Sequence, residues 1–345
     1  MRARRWDRLG NGGLSFTELS LGTAPLGGLF HAVSERDAEA AMEAAWAAGI
    51  RAYDTAPLYG FGLAETRLGR FLRGKPRGEY TLTTKVGRLL SPCPPERRSG
   101  VGKWFGTPSR REVYDYSFDG VMRSVEHSLE RLGADRIDAL LVHDIDVPNH
   151  GSRPAVDAKV DQLMAGGYHA LERLRGEGVI AAFGAGVNEW EVCERLALRG
   201  DFDLFLLAGR YTLLEQEALA SFLPLCEARG IGVVIGGAFN SGILATGARE
   251  GATYDYEPAP AAVLERVRRI ERVCAAHGVQ LIDAALRFPL LHPAVVTVAI
   301  GVADAGQAER AARSVSADVP PALWADLKAE GLMRRDAPTG GASDV

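Results

Sequence analysis

The sequence is poor in the residues that commit a chain to a narrow chemistry. Cysteine occurs four times, as Cys93, Cys193, Cys226 and Cys274, widely spaced and without a CxxC pair. That spacing excludes a disulfide framework, and the three cysteines in helix-like segments read as small core residues of a reducing compartment. No set of His, Cys, Asp and Glu has metal-ligand spacing, so no metal is expected. The formal net charge is −4 with Arg and Lys scattered, which leaves no broad basic face for nucleic acid. No apolar run is long enough to span a bilayer, and no apolar signal core follows the basic residues 1–6, so no membrane partner is expected and the cytoplasm is the default compartment. Glycine-rich phosphate cradles are lacking too. Residues 176–181 fit G-x-G-x-x-A but precede a strand where the dinucleotide fingerprint must follow one, and 100–106 has a Gly-Lys pair without the Ser or Thr of a phosphate loop. A bound nucleotide would need another kind of cradle.

What is present is a long alternation of strands and helices. With 47% apolar and 24% charged residues, the 345-residue chain is globular with a sizeable core. Strand-like runs are expected at about 12–22, 50–54, 80–85, 137–142, 179–185, 202–207, 231–235 and 295–300. Helices are expected near 38–48, 64–72, 118–132, 157–176, 188–200, 214–229 (interrupted at Pro224), 261–277, 281–290 and 305–314. Ser34 with Asp37, and Asn188 with Glu191, carry capping signatures. Eight βα units without a linker or repeat point to one (β/α)8 barrel over residues 1–345, with its core at about 12–315 and a tail, 316–345, over the mouth; a doubly wound open sheet is the alternative. The Pro-, Arg- and Gly-rich stretch 86–116 reads as a long loop with a function of its own. No coiled coil or apolar stripe points to obligate assembly, so a monomer or weak homo-oligomer is expected.

Three of these strands end in an ionisable residue: Asp54, Lys85 and His143, with Tyr59 on a turn just after the first. Only five lysines occur, and the other four lie in loops or helices, so a lysine at a strand end stands out. In a parallel barrel, carboxyl ends share one face, which brings the four together. A tyrosine titrates near pH 10, too high to exchange protons efficiently at neutral pH. A neighbouring ammonium is expected to lower that value, a carboxylate to hold the ammonium, and an imidazole to orient the reacting oxygen. Such a set suits proton transfer at a carbonyl or hydroxyl oxygen while another group carries a hydride. Taken singly, His143 reads as a core histidine, and Asp54 and Asp144 as turn carboxylates; the convergence is what argues for a site.

Tyr53-Asp54-Thr55-Ala56-Pro57-Leu58-Tyr59-Gly60, Thr84-Lys85-Val86-Gly87 and Leu141-Val142-His143-Asp144 resemble the catalytic motifs of the aldo-keto reductase superfamily. Residues 22–30, 187–193, 206–216, 239–244 and 322–324 resemble more closely the branch of D-threo-aldose 1-dehydrogenases (L-fucose dehydrogenases) and pyridoxal 4-dehydrogenases. The resemblance runs nearly end to end. It implies that Tyr59 is the general acid/base, that Lys85 and Asp54 tune it, and that His143 orients the substrate oxygen. It also implies a nicotinamide dinucleotide extended across the mouth without a Rossmann fold. Ala238, Phe239, Asn240, Ser241 and Gly242 would then wrap the pyrophosphate, and Gly301, Asp304, Gln307 and Arg310 would hold the adenosine end.

The chain departs from its relatives at the nicotinamide. Ala208 stands where many carry glutamine, and Gly236-Gly237 where many carry a ring-stacking tyrosine; Asn188, Tyr211 and Phe239 are the replacements considered. No cation follows Gly301, and Asp304 would repel a 2′-phosphate, so NAD is expected in preference to NADP. The resemblance implies oxidation of a free sugar at C1, roofed by residues 27–30 (Leu29 and Phe30), the 86–116 loop (Trp104 and Phe105), residues 144–150 (Asp144) and the tail near Trp324. The alternatives are oxidation of pyridoxal, NADPH-dependent aldehyde reduction, and a redox-sensing subunit that binds cofactor without turnover.

Overall fold

The computed structural model describes residues 1–8 and 13–340; Gly12 and residues 341–345, which belong to the expected core and tail, lie outside the described residues. Fourteen strands occur in the described residues, eight of them closing a parallel barrel. In chain order the strands are β1 (Ala3–Trp6), β2 (Leu14–Thr17), β3 (Leu19–Gly22), β4 (Ala52–Asp54), β5 (Thr81–Val86), β6 (Arg88–Pro92) and β7 (Arg110–Tyr114). They continue with β8 (Ala139–His143), β9 (Ala182–Val187), β10 (Leu204–Ala208), β11 (Gly232–Gly236), β12 (Thr253–Tyr254), β13 (Glu257–Pro258) and β14 (Val295–Gly301). The barrel order is β3-β4-β5-β8-β9-β10-β11-β14. Strands such as β5, β8 and β9 are buried along their whole length, which explains their continuous apolar runs.

Helices form where capping and period agree. Ser34 caps helix Glu35–Ala47, accepting from Asp37 N, and Ala38, Ala41, Met42 and Ala45 turn one face inward. Ser117 does the same for helix Phe118–Leu132, which Gly133 ends in a left-handed conformation. The expected helix at 157–176 is three pieces, Arg153–Gln162, a π turn Leu163–Gly167, and Tyr168–Gly176. The turn brings Gly167 so close to Tyr116 that an added Cβ would lie 2.4 Å from its carbonyl oxygen. Pro224 interrupts nothing: the helix begins at Phe222, so the proline occupies its first turn. Asn188 is not a cap, because Glu189 holds that place and the Asn188 amide turns to Asp146.

Three differences from expectation matter for the site. Residues 3–6 extend the fold beyond the core expected from residue 12: β1 and β2 form an antiparallel hairpin whose Leu14 and Phe16 pack with Leu204, Val234 and Val296 inside the barrel. Residues 86–116 are not only loop, because β6 and β7 pair antiparallel within them. The tail, as far as residue 340, does not line the mouth cavity. Its helix Pro321–Ala329 packs on the outer layer, with Trp324 buried 6.2 Å from the Phe288 ring. Among the described residues no helix is long and apolar enough to cross a membrane.

Candidate active site

Strand register assembles the tetrad. Asp54 pairs with Thr83 on β5, so Lys85, two residues on, projects from the same face. Its ammonium reaches back to both Asp54 oxygens, at 2.8 and 2.7 Å, and donates to the Thr55 carbonyl at 2.9 Å. His143 pairs with Gly186 on β9, and a Cβ at that glycine would lie 3.3 Å from Lys85 Cε, so a side chain there would crowd the lysine. Tyr59 comes from the turn after β4. There Gly60, Phe61 and Gly62 all have positive φ, and Gly60 packs so tightly on Gly27 that a Cβ would fall 2.3 Å from its oxygen. The Tyr59 ring lies 4.9 Å from Lys85 Nζ and 5.7 Å from the His143 ring. Four residues spread over ninety positions thus meet at the floor of one cavity of about 700 Å³ at the barrel mouth.

Burial dominates the electrostatics. It holds the His143 imidazole well below its usual range, helped by Arg88 and Lys85, so the ring is neutral at pH 7. One ring nitrogen of a neutral imidazole donates and the other accepts; Nδ1 has no partner among the described residues. Burial also drives the Asp54 carboxyl upward, and Lys85 pulls it back. Tyr59 departs from expectation. Burial, then Asp54 and Asp144, push its phenol well above 10, and Arg88 is the cation that opposes them. In the protein alone the ammonium does not outweigh the carboxylates.

The other expected site residues divide. Leu29, Trp104, Asp144, Asn188, Asn240, Ser241 and Gly301 line the cavity. Phe30 does not; it is half exposed and packs on the rim residue Tyr256, with ring centroids 5.7 Å apart. Phe105 docks through its backbone, its N–H donating to the Gly28 carbonyl, while its ring faces outward. Tyr211 is a correction: it is fully buried with its ring 5.0 Å from Phe288, because the chain after β10 folds it into the core. Phe239 packs against that core as well, and Ala238 is buried beside it, so neither side chain faces a ring in the cavity. Asp304 caps helix Ala305–Val315 by accepting from Gln307 N, and Gln307 returns a bond from Ala303 N; Arg310 is exposed on that helix.

The mouth fits an extended dinucleotide by the shape of its backbone. Gly237, Asn240, Ser241 and Gly242 all have positive φ, and nothing lies within 4 Å of a Cβ built on Gly242. The Asn240 and Gly242 N–H groups close this turn on the Gly237 and Phe239 carbonyls, and the tight, side-chain-poor turn leaves its backbone open to a phosphate without a glycine fingerprint. Gly236 and Gly237 keep the wall between β11 and the cavity free of side chains.

The family model for "Aldo/keto reductase family" matches residues 18–329. The chain belongs to this family. It is an oxidoreductase, and the family uses nicotinamide cofactors. The chain is 43% identical to pyridoxal 4-dehydrogenase from Microbacterium luteolum over 342 residues, covering 96% of this chain and 99% of the relative. It is 42% identical to D-threo-aldose 1-dehydrogenase from a Pseudomonas species over 320 residues, covering 91% and 94%. Its fold matches an aldo-keto reductase from Bacillus halodurans over the whole of both chains, with a TM-score of 0.73 at 24% identity.

Of the cavity residues of this aldo/keto reductase, Tyr256 escaped the sequence reading, while Arg88, Glu112 and Asn149 lie in the expected roof stretches 86–116 and 144–150 without having been singled out. Arg88 follows directly on the lysine motif, which was a usable signal. Glu112 carried none, because its place depends on the β6–β7 pairing.

Proposed function

We propose that this chain oxidises a free aldose at its anomeric carbon to the lactone, with Tyr59 as the base and NAD as the preferred hydride acceptor. The observation that carries the reading is the buried Lys85–Asp54 pair beside Tyr59, in a chain 42% identical to D-threo-aldose 1-dehydrogenase. The cofactor's nicotinamide would supply the hydride acceptor, with loop 237–242 placed to hold its pyrophosphate and Gly301 its adenosine end. Tyr59 takes the C1 hydroxyl proton. Lys85 supplies positive charge that stabilises the phenolate, the form that takes this proton, and Asp54 fixes that ammonium in place. Neutral His143 orients the C1 oxygen through one hydrogen bond. Leu29 and Trp104, bridged to each other as antiparallel backbone, wall the reacting centre from water.

Pyridoxal is the second reading, supported by the 43% identity to pyridoxal 4-dehydrogenase. Its aldehyde closes on the neighbouring hydroxymethyl group, so its oxidation is again that of a cyclic hemiacetal to a lactone. The deciding experiment follows reduced-nicotinamide absorbance with L-fucose, D-arabinose, L-galactose or pyridoxal and either NAD or NADP. Reduction with the sugars supports the first reading, and turnover of pyridoxal alone moves the chain to the second. Silence with all four sinks both and turns the question to aldehyde reduction with NADPH. Preference for NAD rests on Asp304 and on the absence of a cation at residues 302–304; a higher kcat/KM with NADP overturns it.

A further inference from the structure

The cavity holds a second charged assembly that the proton transfer does not use. Arg88, at the start of β6, is 3% exposed. Its guanidinium lies 3.2 Å from Asp144 Oδ2 and 3.4 Å from Glu112 Oε2, and it also donates to Tyr114 and Asn149. The two carboxylates come from separate places, Glu112 from β7 and Asp144 from the residue after β8. Asp144 has a φ of 50°, a left-handed conformation that a non-glycine residue keeps only where its surroundings enforce it. The consequence is that its carboxylate lies over the tetrad, 3.4 Å from His143 Nε2. Two atoms of this wall, Arg88 Nε and Glu112 Oε2, have no hydrogen-bond partner among the described residues. All three charged residues line the cavity.

We propose that Arg88, Glu112 and Asp144 form the wall that selects the substrate, taking neutral hydroxyl groups remote from the reacting carbon and rejecting phosphorylated or carboxylated analogues. The inference rests on the reading of the tetrad as an oxidising site for a hydroxyl-rich ligand. Its basis is charge. Lys85 is already paired with Asp54, Arg88 faces two carboxylates and Arg210 pairs with Asp255, so the buried inner wall of Arg88, Glu112 and Asp144 carries one negative charge in excess, and the cation not held in an ion pair is Lys103, exposed at the rim over Tyr256. An anionic group brought against this buried wall would meet carboxylates, with the unpaired Lys103 only at the solvent-exposed rim, which low dielectric makes unfavourable. A hydroxyl both donates and accepts, so it satisfies a carboxylate and a guanidinium at once, whereas a phosphate or carboxylate oxygen only accepts. The wall thereby contains both the attractive and the repulsive element that selectivity requires.

The test compares kcat/KM for two matched pairs on the full chain. L-galactose and L-galacturonate share a pyranose ring and differ in charge at C6. D-glyceraldehyde and its 3-phosphate, run with reduced cofactor, share an aldehyde and do not depend on the sugar reading. The expected result is that the wild type disfavours the anionic member of each pair by about 100-fold. Glu112→Gln, which frees part of the Arg88 charge, is expected to narrow that gap roughly tenfold, and Glu112→Asp to restore it. A wild type that handles both members of each pair nearly equally overturns the proposal. So does a folded Glu112→Gln variant with an unchanged ratio; if that variant fails to fold, the wild-type ratios alone decide. Discrimination in the glyceraldehyde pair without turnover of L-galactose supports the wall while refuting the aldose reading.

Discussion

At the floor of the barrel, Asp203 is fully buried just before β10, and both its oxygens are met. Arg175 donates to both at 2.7 Å, Arg8 to one at 3.0 Å and the Phe183 N–H to the other at 3.1 Å. At the mouth, groups buried as deeply are left incomplete. His143 Nδ1, Thr55 Oγ1, Arg88 Nε and Glu112 Oε2 all lack hydrogen-bond partners among the described residues, although Glu112 Oε2 lies 3.4 Å from the Arg88 guanidinium. Arg77 Nε, beside Asp138 near the floor, is unmet as well, so what sets the mouth apart is that its unmet residues His143, Arg88 and Glu112 line the cavity that holds the tetrad. A fully met buried network secures structure, whereas an unmet one facing a cavity is where a ligand completes the bonding. The floor also carries its own plug, with Phe16 inside the barrel and Trp6 donating to the Gly230 carbonyl at 3.0 Å.

The sharpest separation of the two ends comes from Tyr59→Phe. Turnover is expected to fall about a thousandfold or more, while cofactor binding by fluorescence quenching and the melting temperature stay near wild type. Retained turnover would remove Tyr59 from the chemistry. Lys85→Met should lose activity and also destabilise the fold by about 3–5 kcal/mol in a denaturant titration, because Asp54 is left buried without its counter-ion. Asp203→Ala is expected to cost a similar amount, about 3–5 kcal/mol, yet leave kcat of the folded fraction within about twofold. If Asp203→Ala abolished kcat with the fold intact, the division between the ends would fail.

The pH profile tests the mouth alone. The Tyr59 phenol lies well above 10, so its basic form is scarce at neutral pH and grows as pH rises. Oxidative kcat/KM is therefore expected to climb from pH 7 to 9, by up to about tenfold per unit, while reduction, which uses the fully populated phenol, stays flat over the same range. A flat oxidative profile would mean that the phenol has been brought down in the working complex. The smallest effect belongs to Asp304→Ala, which removes a helix cap and is expected to cost about 1 kcal/mol. If Asp304 also discriminates against a 2′-phosphate, the same variant raises kcat/KM with NADP relative to NAD.

The strands and most helices were legible because burial imposes a period, and the caps at Ser34 and Gly133 are local events between neighbours in sequence. The tetrad was legible for a related reason: parallel strands place their carboxyl ends together whatever the loops do. Tyr211 and Phe239 misled because an aromatic near a strand end serves a cavity or the core equally well, and only packing against Phe288 and its neighbours separates the two. The lowered phenol pKa expected from Lys85 failed because desolvation and the Asp144 carboxylate are properties of the assembled pocket. The tail was misplaced over the mouth because nothing in its composition tells one end of a barrel from its outer layer.

By itself, then, the sequence determined the alternation of elements, the closed parallel barrel and the meeting of Asp54, Tyr59, Lys85 and His143. These follow from side-chain period and strand direction, which are written locally. Tertiary structure alone decided that the N-terminal hairpin plugs the floor, that β6 and β7 carry Arg88 and Glu112 to the cavity, and that Asp144 turns back toward His143. Each of these depends on contacts between segments far apart in the chain, where the free energy of one packing over another has no local signature.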